Sequence, residues 1–198
     1  MNSGLRIGIF GGTFNPFHNG HLICAESVSA EFSLDRVLFV PSRIPVHKEL
    51  DFNVSGPDRA EIIRRSIAGR SSFSVYEDEL VRAEDSYSYI TVERIKDRNP
   101  GADLFFIIGT DAFNGLDKWK HPEKISTAVF FVVLRRDGEI INKKLANWAG
   151  NVLLSSNEEI KISSSILRSR INDIDFLKRN MNSDAVDYIV EKGLYRVK

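Results

Sequence analysis

Two histidines three residues apart, His18 and His21, fall in the segment Gly11-Gly12-Thr13-Phe14-Asn15-Pro16-Phe17-His18-Asn19-Gly20-His21-Leu22, directly after an apolar run. They are half of the chain's four histidines. Gly11 and Gly12 leave their backbone N–H groups bare, so an anion such as phosphate can approach them closely. A helix is expected to start near Asn19, and a helix N-terminus favours an anion. At i, i+3 the two imidazoles share one face of that first turn and point donors at the place where a phosphate would sit. The same spacing could supply half of a metal site, but no third ligand stands nearby, so no metal site is read here. Neither GxxxxGK[ST] nor GxGxxG is present. A plain glycine turn with two solvent-exposed histidines is the blander alternative, and the concentration of histidine straight after a buried strand argues against it.

Further stretches carry chemistry-bearing residues past apolar runs. Pro41-Ser42-Arg43-Ile44-Pro45-Val46-His47-Lys48 brings a His and a Lys to a loop that, taken alone, reads as a solvated turn. Asp85-Ser86-Tyr87-Ser88 precedes a helical pattern and could cap it through Ser86 or Ser88. In Ile108-Gly109-Thr110-Asp111 a glycine and an acid just beyond a buried run suit recognition of ribose hydroxyls. Trp119, set among charged residues next to Lys120, is either a lid over the core or a stacking platform. Ile162-Ser163-Ser164-Ser165-Ile166-Leu167-Arg168 opens a helix with hydroxyls, giving donors and a dipole for phosphates, with the Arg168 fork one turn in. Simple serine capping would explain the same run.

The elements that must position these residues are legible from periodicity. Runs rich in β-branched and aromatic residues recur at Leu5–Phe10, Arg36–Val40, Phe73–Tyr76, Leu104–Ile108, Val129–Leu134 and Val152–Leu154. Several are apolar on consecutive residues, as in strands of a parallel sheet buried on both faces. Helical spacing fills the gaps. It runs through Leu22, Ala25, Val28 and Phe32, then through Ala60, Ile63 and Ile67 after Pro57, then through Thr91, Val92 and Ile95 before Pro100-Gly101. The tail predicts a helix over 183–192, with Ser183 as N-cap and Gly193 just past its end. Alternating strands and helices imply an α/β, Rossmann-like doubly wound parallel sheet. Ligands then sit beyond the carboxyl ends of the strands, at a switch point. The chain reads as one domain over 1–198, with roughly 160–198 as a small helical C-terminal subdomain.

Composition narrows the partners. The 198 residues are 42% hydrophobic and 27% charged, ordinary for a globular domain. Lys plus Arg and Asp plus Glu are both 27, so the formal charge is 27 − 27 = 0, which argues against a dedicated nucleic-acid binder. Cys24 is the single cysteine, which excludes an internal disulfide and a cysteine-built zinc site. The longest apolar run, Ala128 to Leu134, is far short of the ~20 residues a membrane helix needs. No secretory signal core opens the chain, so a cytoplasmic protein without membrane partners is expected.

The first segment resembles the GTFxPxHxGH motif of the nucleotidyltransferase α/β phosphodiesterase superfamily, and GGTFNPFHNGHL within it is similar to the bacterial nicotinate mononucleotide adenylyltransferases. Asn15 stands where Asp is commoner. The resemblance extends over nearly the whole chain. It implies that ATP, accompanied by Mg²⁺, and nicotinate mononucleotide are converted to nicotinate adenine dinucleotide and pyrophosphate. It makes His18, His21 and Lys48 catalytic. It assigns Gly11, Gly12, Thr13, Phe14, Gly20, His47, Lys48, Ile108, Gly109, Arg136, Ser163, Ser164, Ser165 and Arg168 to ATP and its phosphates. His47 and Lys48 match the family's PxHK loop, Arg136 the Arg of its R-P-G, and residues 162–168 its ISSTxIR motif. On the mononucleotide side it implies Ser88 and neighbouring amides on the pyridine carboxylate, in place of the Thr of SYT. Asp111 falls on the ribose, Trp119 stacks on the ring, and the Lys120 N–H meets the carboxylate. A sister enzyme, phosphopantetheine adenylyltransferase or a cytidylyltransferase, is the nearest alternative, although the former usually has Thr at the place of His18. A non-catalytic nucleotide-sensing module is another, against which His18, His21, Lys48 and Arg168 weigh. Monomer and homodimer are both compatible with the sequence.

Overall fold

The computed structural model describes residues 4–43, 54–82, 85–135, 139–157 and 161–196. Six strands, β1 (Arg6–Gly12), β2 (Arg36–Pro41), β3 (Phe73–Val75), β4 (Asp103–Gly109), β5 (Phe130–Leu134) and β6 (Val152–Leu154), form one sheet in the order β3-β2-β1-β4-β5-β6. Every neighbouring pair is parallel. The expected doubly wound sheet is therefore present, with the six apolar runs as its strands. β1 pairs with both β2 and β4, so the strand order reverses at β1 and opens a crevice beyond the ends of β1 and β4.

Both faces of the sheet are covered, which explains the consecutive apolar residues. On one side Phe10, Val37, Phe39, Phe105 and Ile107 pack with α1 (Asn19–Glu31) and α2 (Gly56–Ser66). On the other Ile7, Ile9, Leu104, Phe106 and Ile108 pack with α4 (Ser88–Arg98), α5 (Thr110–Asn114), α6 (Pro122–Ser126) and α7 (Lys143–Ala149). A four-residue helix, α3 (Asp78–Val81), precedes α4. Gly8 is closely packed: a Cβ there would lie 2.9 Å from Leu34 Cδ1, so a larger residue would have to displace that side chain.

The C-terminal stretch forms α8 (Ser164–Ser169), α9 (Ile174–Asn180) and α10 (Ser183–Lys192). Leu167, Leu177, Ala185, Val186, Ile189 and Tyr195 are buried in the same cluster as Phe39 and Phe105, so these helices complete the core on the α1–α2 face. Two helix starts differ from expectation. Asn182, not Ser183, caps α10, because its Oδ1 accepts from the Asp184 N–H at 2.8 Å. Tyr87, not Ser86 or Ser88, occupies the N-cap of α4 and makes no side-chain cap. Gly193 ends α10 in the left-handed region, as its place in the sequence requires.

Candidate active site

Beyond the carboxyl ends of β1, β4 and β5 lies a cavity of about 1440 Å³. Its wall includes Gly11, Gly12, Thr13, Phe14, His18, Gly20, His21, Ile108, Gly109, Ser163, Ser164, Ser165 and Arg168 from the expected ATP side, and Ser88, Asp111, Trp119 and Lys120 from the expected mononucleotide side. Residues up to 157 positions apart in sequence are thus brought to one space (168 − 11). His47, Lys48 and Arg136 lie outside the described residues.

The first loop is built tightly. Phe14 takes a left-handed conformation, φ 48°, and the Asn15–Pro16 peptide is cis. A Cβ on Gly12 would sit 3.0 Å from the Phe14 ring, whereas one on Gly11 would meet nothing, so Gly11 faces open space. Gly20 has a separate reason: its Cβ would lie 2.9 Å from both His18 Nδ1 and Ile162 Cγ2. The glycine between the two histidines therefore makes room for the His18 ring.

His18 is the N-cap of α1 and only 6% exposed. Burial pushes its imidazole down to about 4, so it is neutral near pH 7. Its backbone N–H donates to His21 Nδ1 at 3.2 Å, and its carbonyl accepts from the His21 N–H at 2.9 Å. An Nδ1 that accepts fixes the neutral His21 ring as the Nε2–H tautomer. The two rings stack at 3.7 Å between centroids, and Phe14 and Phe17 flank His21 at 5.1 and 5.2 Å. His21 is thus held by an aromatic wall and its own helix start, with His18 as a neutral neighbour. This modifies the sequence picture of two equivalent donors.

Two arginines fix the loop from behind. Arg59 of α2, fully buried, donates to the carbonyls of Thr13 at 2.5 Å and Ser42 at 2.6 Å. Arg168 donates to the Asn15 carbonyl at 2.8 Å and reaches Ser165 Oγ at 3.4 Å, and Ser164 Oγ donates to the Pro16 carbonyl at 2.8 Å. The Ser163–Ser165 run therefore combines both readings of the sequence. Ser163 caps α8 through the Ile166 N–H, while Ser164 and Arg168 hold the first loop. At the end of β5, Asn157 pairs with Arg135, accepting from its N–H at 3.1 Å and donating to its carbonyl at 3.4 Å.

The opposite end is built on a buried polar network. Glu79, Arg82 and Thr91 are all buried, and Glu79 reaches the cavity wall. Thr91 Oγ1 donates to Glu79 Oε1 at 2.5 Å and accepts from Arg82 Nη1 at 3.1 Å. Asp78 lies 3.3 Å from the Arg82 guanidinium and 3.0 Å from that of Arg94. Burial pushes the Glu79 carboxyl upward, while Thr91, Arg82 and Ser86 pull it back. Across from this network Trp119 is half-buried, edge-on to Phe106 at 6.0 Å, and Asp111 sits in the first turn of α5.

Arg59, Glu79, Arg82 and Asn157 are functional positions that no motif in the sequence marks. Arg59 left a faint signal: it stands three and four residues before Ile62 and Ile63, which puts a charge on the buried stripe of α2. Asp78-Glu79-Leu80-Val81-Arg82 reads as a solvated charged turn, and nothing local reveals that it is buried.

A six-stranded parallel sheet with this glycine-histidine loop at its switch point defines a nucleotide-handling α/β protein, and the chain belongs to the cytidylyltransferase-like family, matched over residues 9–170. Among its relatives is the "Probable nicotinate-nucleotide adenylyltransferase" of Citrifermentans bemidjiense, 42% identical over 213 residues, covering 96% of this chain and 98% of the relative. The nicotinate-nucleotide adenylyltransferase of Bacillus subtilis is 33% identical over 190 residues, covering 96% and 98%. The solved structure of the Plasmodium falciparum nicotinic acid mononucleotide adenylyltransferase complexed with NaAD superposes with a TM-score of 0.79 at 22% identity, over 96% of this chain and 97% of that one, a likeness of fold.

Proposed function

We propose that this protein transfers the adenylyl group of ATP to nicotinate mononucleotide, releasing pyrophosphate and forming nicotinate adenine dinucleotide in NAD synthesis. The observation that carries this reading is the convergence of the first loop, the 163–168 segment, Ser88, Asp111 and Trp119 on one cavity. Relatives that span nearly the whole chain carry the name of this activity.

The mononucleotide 5′-phosphate attacks the α-phosphorus of ATP in line: a P–O bond forms to the attacking oxygen and the α–β bridge breaks to release pyrophosphate. The nucleophile is already an anion, so no general base is needed. Catalysis rests on positioning and on donors aimed at developing charge. His21 directs its Nε2–H at the α-phosphoryl, with neutral His18 stacked beside it. Gly11 and Gly12, with Ser165, line the path of the phosphates and let them approach closely. His47, Lys48 and Arg136 take the triphosphate end on the strength of the family motifs. Asp111 accepts from ribose hydroxyls, Trp119 stacks on the pyridine ring, and Ser88 with the Lys120 N–H meets its carboxylate. Mg²⁺ arrives as part of the substrate, bound to the ATP phosphates. Among the described residues no three His, Cys, Asp or Glu side chains gather into a metal-holding group. Among those residues no helix is long and apolar enough to cross a membrane. A cytoplasmic monomer or homodimer acting on small nucleotides fits this reading.

Pyrophosphate release tests it. The protein with MgATP should release pyrophosphate with nicotinate mononucleotide and not with 4′-phosphopantetheine, and CTP should not replace ATP. Release with phosphopantetheine, or only with CTP, would move the protein to a sister activity. No release with any pair would make it a binding module.

A further inference from the structure

The buried guanidinium of Arg82 lies behind the cavity wall, hydrogen-bonded to Asp78, Thr91, Asp85 and Tyr87. Its side chain is 2% exposed, beside Asp78 at 8% and Glu79 at 7%. One nitrogen, Nη1, is held by Thr91 Oγ1 at 3.1 Å and Asp78 Oδ2 at 3.3 Å. The other, Nη2, donates to the carbonyls of Asp85 at 3.1 Å and Tyr87 at 3.3 Å. In a planar trans peptide the C=O of one residue and the N–H of the next point in opposite directions. Fixing the Asp85 and Tyr87 carbonyls on Arg82 therefore turns the N–H groups of Ser86 and Ser88 away from it. Both serines belong to the cavity wall. Ser88 also opens α4, so its N–H is among the donors that a helix leaves without an intrahelical acceptor. Ser86 is held from the other side, its Oγ accepting from the Arg43 N–H at 3.0 Å.

We propose that Arg82 is a positioning residue for substrate selection, which aims the Ser86 and Ser88 amides at the carboxylate of the mononucleotide and so favours the acid over its amide. This rests on the reading of that end of the cavity as the receiver of the pyridine carboxylate. N–H donors suit a carboxylate, which accepts at both oxygens, whereas a carboxamide would turn its NH₂ toward one of them. Arg82 also balances Glu79, whose charge at the cavity wall would otherwise repel an incoming carboxylate. Arginine suits the task because its planar fork binds two carbonyls and a carboxylate at once, and lysine cannot reproduce that geometry.

The test uses the full chain and three variants: Arg82→Lys, Arg82→Gln and Thr91→Val, the last keeping the side-chain volume while removing the hydroxyl that bridges Arg82 and Glu79. kcat/KM is measured for nicotinate mononucleotide and for its amide, with KM for ATP and the melting temperature alongside. The wild type should prefer the acid. Arg82→Lys and Arg82→Gln should lower kcat/KM for the acid by roughly tenfold or more and for the amide by less, narrowing the ratio, with KM for ATP within about twofold. Thr91→Val should move the ratio the same way by a smaller factor. A folded Arg82 variant with the wild-type ratio, or equal losses on acid, amide and ATP, would overturn the proposal. If the Arg82 variants fail to fold, an unchanged ratio in Thr91→Val overturns it. A wild type with no acid preference would instead overturn the carboxylate pocket itself, and the proposal with it.

Discussion

At one end of the cavity Arg59 and Arg168 direct their donors to the carbonyls of Thr13 and Asn15; at the other, Arg82 directs its own to those of Asp85 and Tyr87. The backbone is braced in the same way at both, but the surrounding charge differs. Among the described residues Arg59 has no carboxylate within ion-pair distance, whereas Arg82 faces Asp78 and Glu79. A buried cation without a counter-charge is unfavourable until an anion approaches. The first loop thus stays electropositive, with the Arg59 and Arg168 guanidiniums behind it, which suits a polyphosphate. Charges at the Ser86–Ser88 end cancel locally and leave neutral N–H donors, which suit discrimination between two ligands of similar shape. Attraction and selection are assigned to different ends of one site.

The sharpest way to break this division is at His21. If the first-loop end neutralises transferring charge, His21→Ala should lower kcat by on the order of 10²–10³, the effect of losing one preorganised donor. KM for both substrates should change far less. The lost contact with the His18 N–H should cost about 1 kcal/mol of stability, as for a helix cap. Steady-state kinetics with a thermal melt checks both. Near wild-type turnover would remove His21 from the chemistry.

His18, its neighbour, is predicted to show itself in stability. Burial holds its imidazole at about 4, against an ordinary 6.5. Between those values the unfolded chain binds a proton that the folded chain excludes. Stability therefore rises with pH across that window and falls on acidification from 6.5 toward 4. At ~1.4 kcal/mol per pH unit the loss amounts to about 3 kcal/mol. Urea midpoints at pH 7 and 4.5 should fall more steeply for the wild type than for His18→Asn, a difference that subtracts the ordinary titration of surface carboxylates. Parallel slopes would show that the ring is not buried in its neutral form.

Lys48 extends the comparison to the second loop. Lys48→Ala should raise KM for ATP by about tenfold or more, the scale of one charged hydrogen bond, and KM for the mononucleotide by much less. An effect confined to the mononucleotide would mean that this loop serves the selecting end.

How far each end could be read from the sequence follows the same split. The first loop is contiguous, and its glycine, histidine and helix-start chemistry is local, so residues 11–22 expose their purpose directly. The central strands β1, β2, β4 and β5 were equally plain, because burial on both faces writes near-continuous apolar runs. Arg82 was invisible because its contacts join α3, the segment before α4 and α4 itself through tertiary burial, which a charged turn of sequence does not reveal. In the sequence Arg59 shows only as a charge on the apolar stripe of α2, and Arg168 reads as a phosphate ligand. Each holds carbonyls more than 40 residues away, a relation set by the packing of α2 and α8 on the sheet. The α10 cap lies one residue before the expected Ser183 because Asn182 and Ser183 are both good caps, and only the turn geometry decides between them.

The smallest effects separate stacking from selection within the second end. Trp119 packs edge-on against Phe106 and presents a half-buried face to the cavity, so it should hold acid and amide rings alike. Trp119→Ala should lower kcat/KM for both mononucleotides by a similar factor, about three- to tenfold for a stacking term of ~0.5–1.5 kcal/mol, and leave their ratio intact. Ser88 offers a hydroxyl whose hydrogen bond to a charged carboxylate is stronger than one to a neutral carboxamide. Ser88→Ala should therefore cost the acid about tenfold, the low end for one hydrogen bond to a charged group, and cost the amide less. The ratio should narrow without vanishing, because the Ser86 and Ser88 amides remain in place behind Arg82. A Ser88→Ala variant that loses all preference would make the hydroxyl, and not the backbone, the selecting group. A Trp119→Ala variant that changes the ratio would mean that ring placement selects as well, and the two functions of this end would then be one.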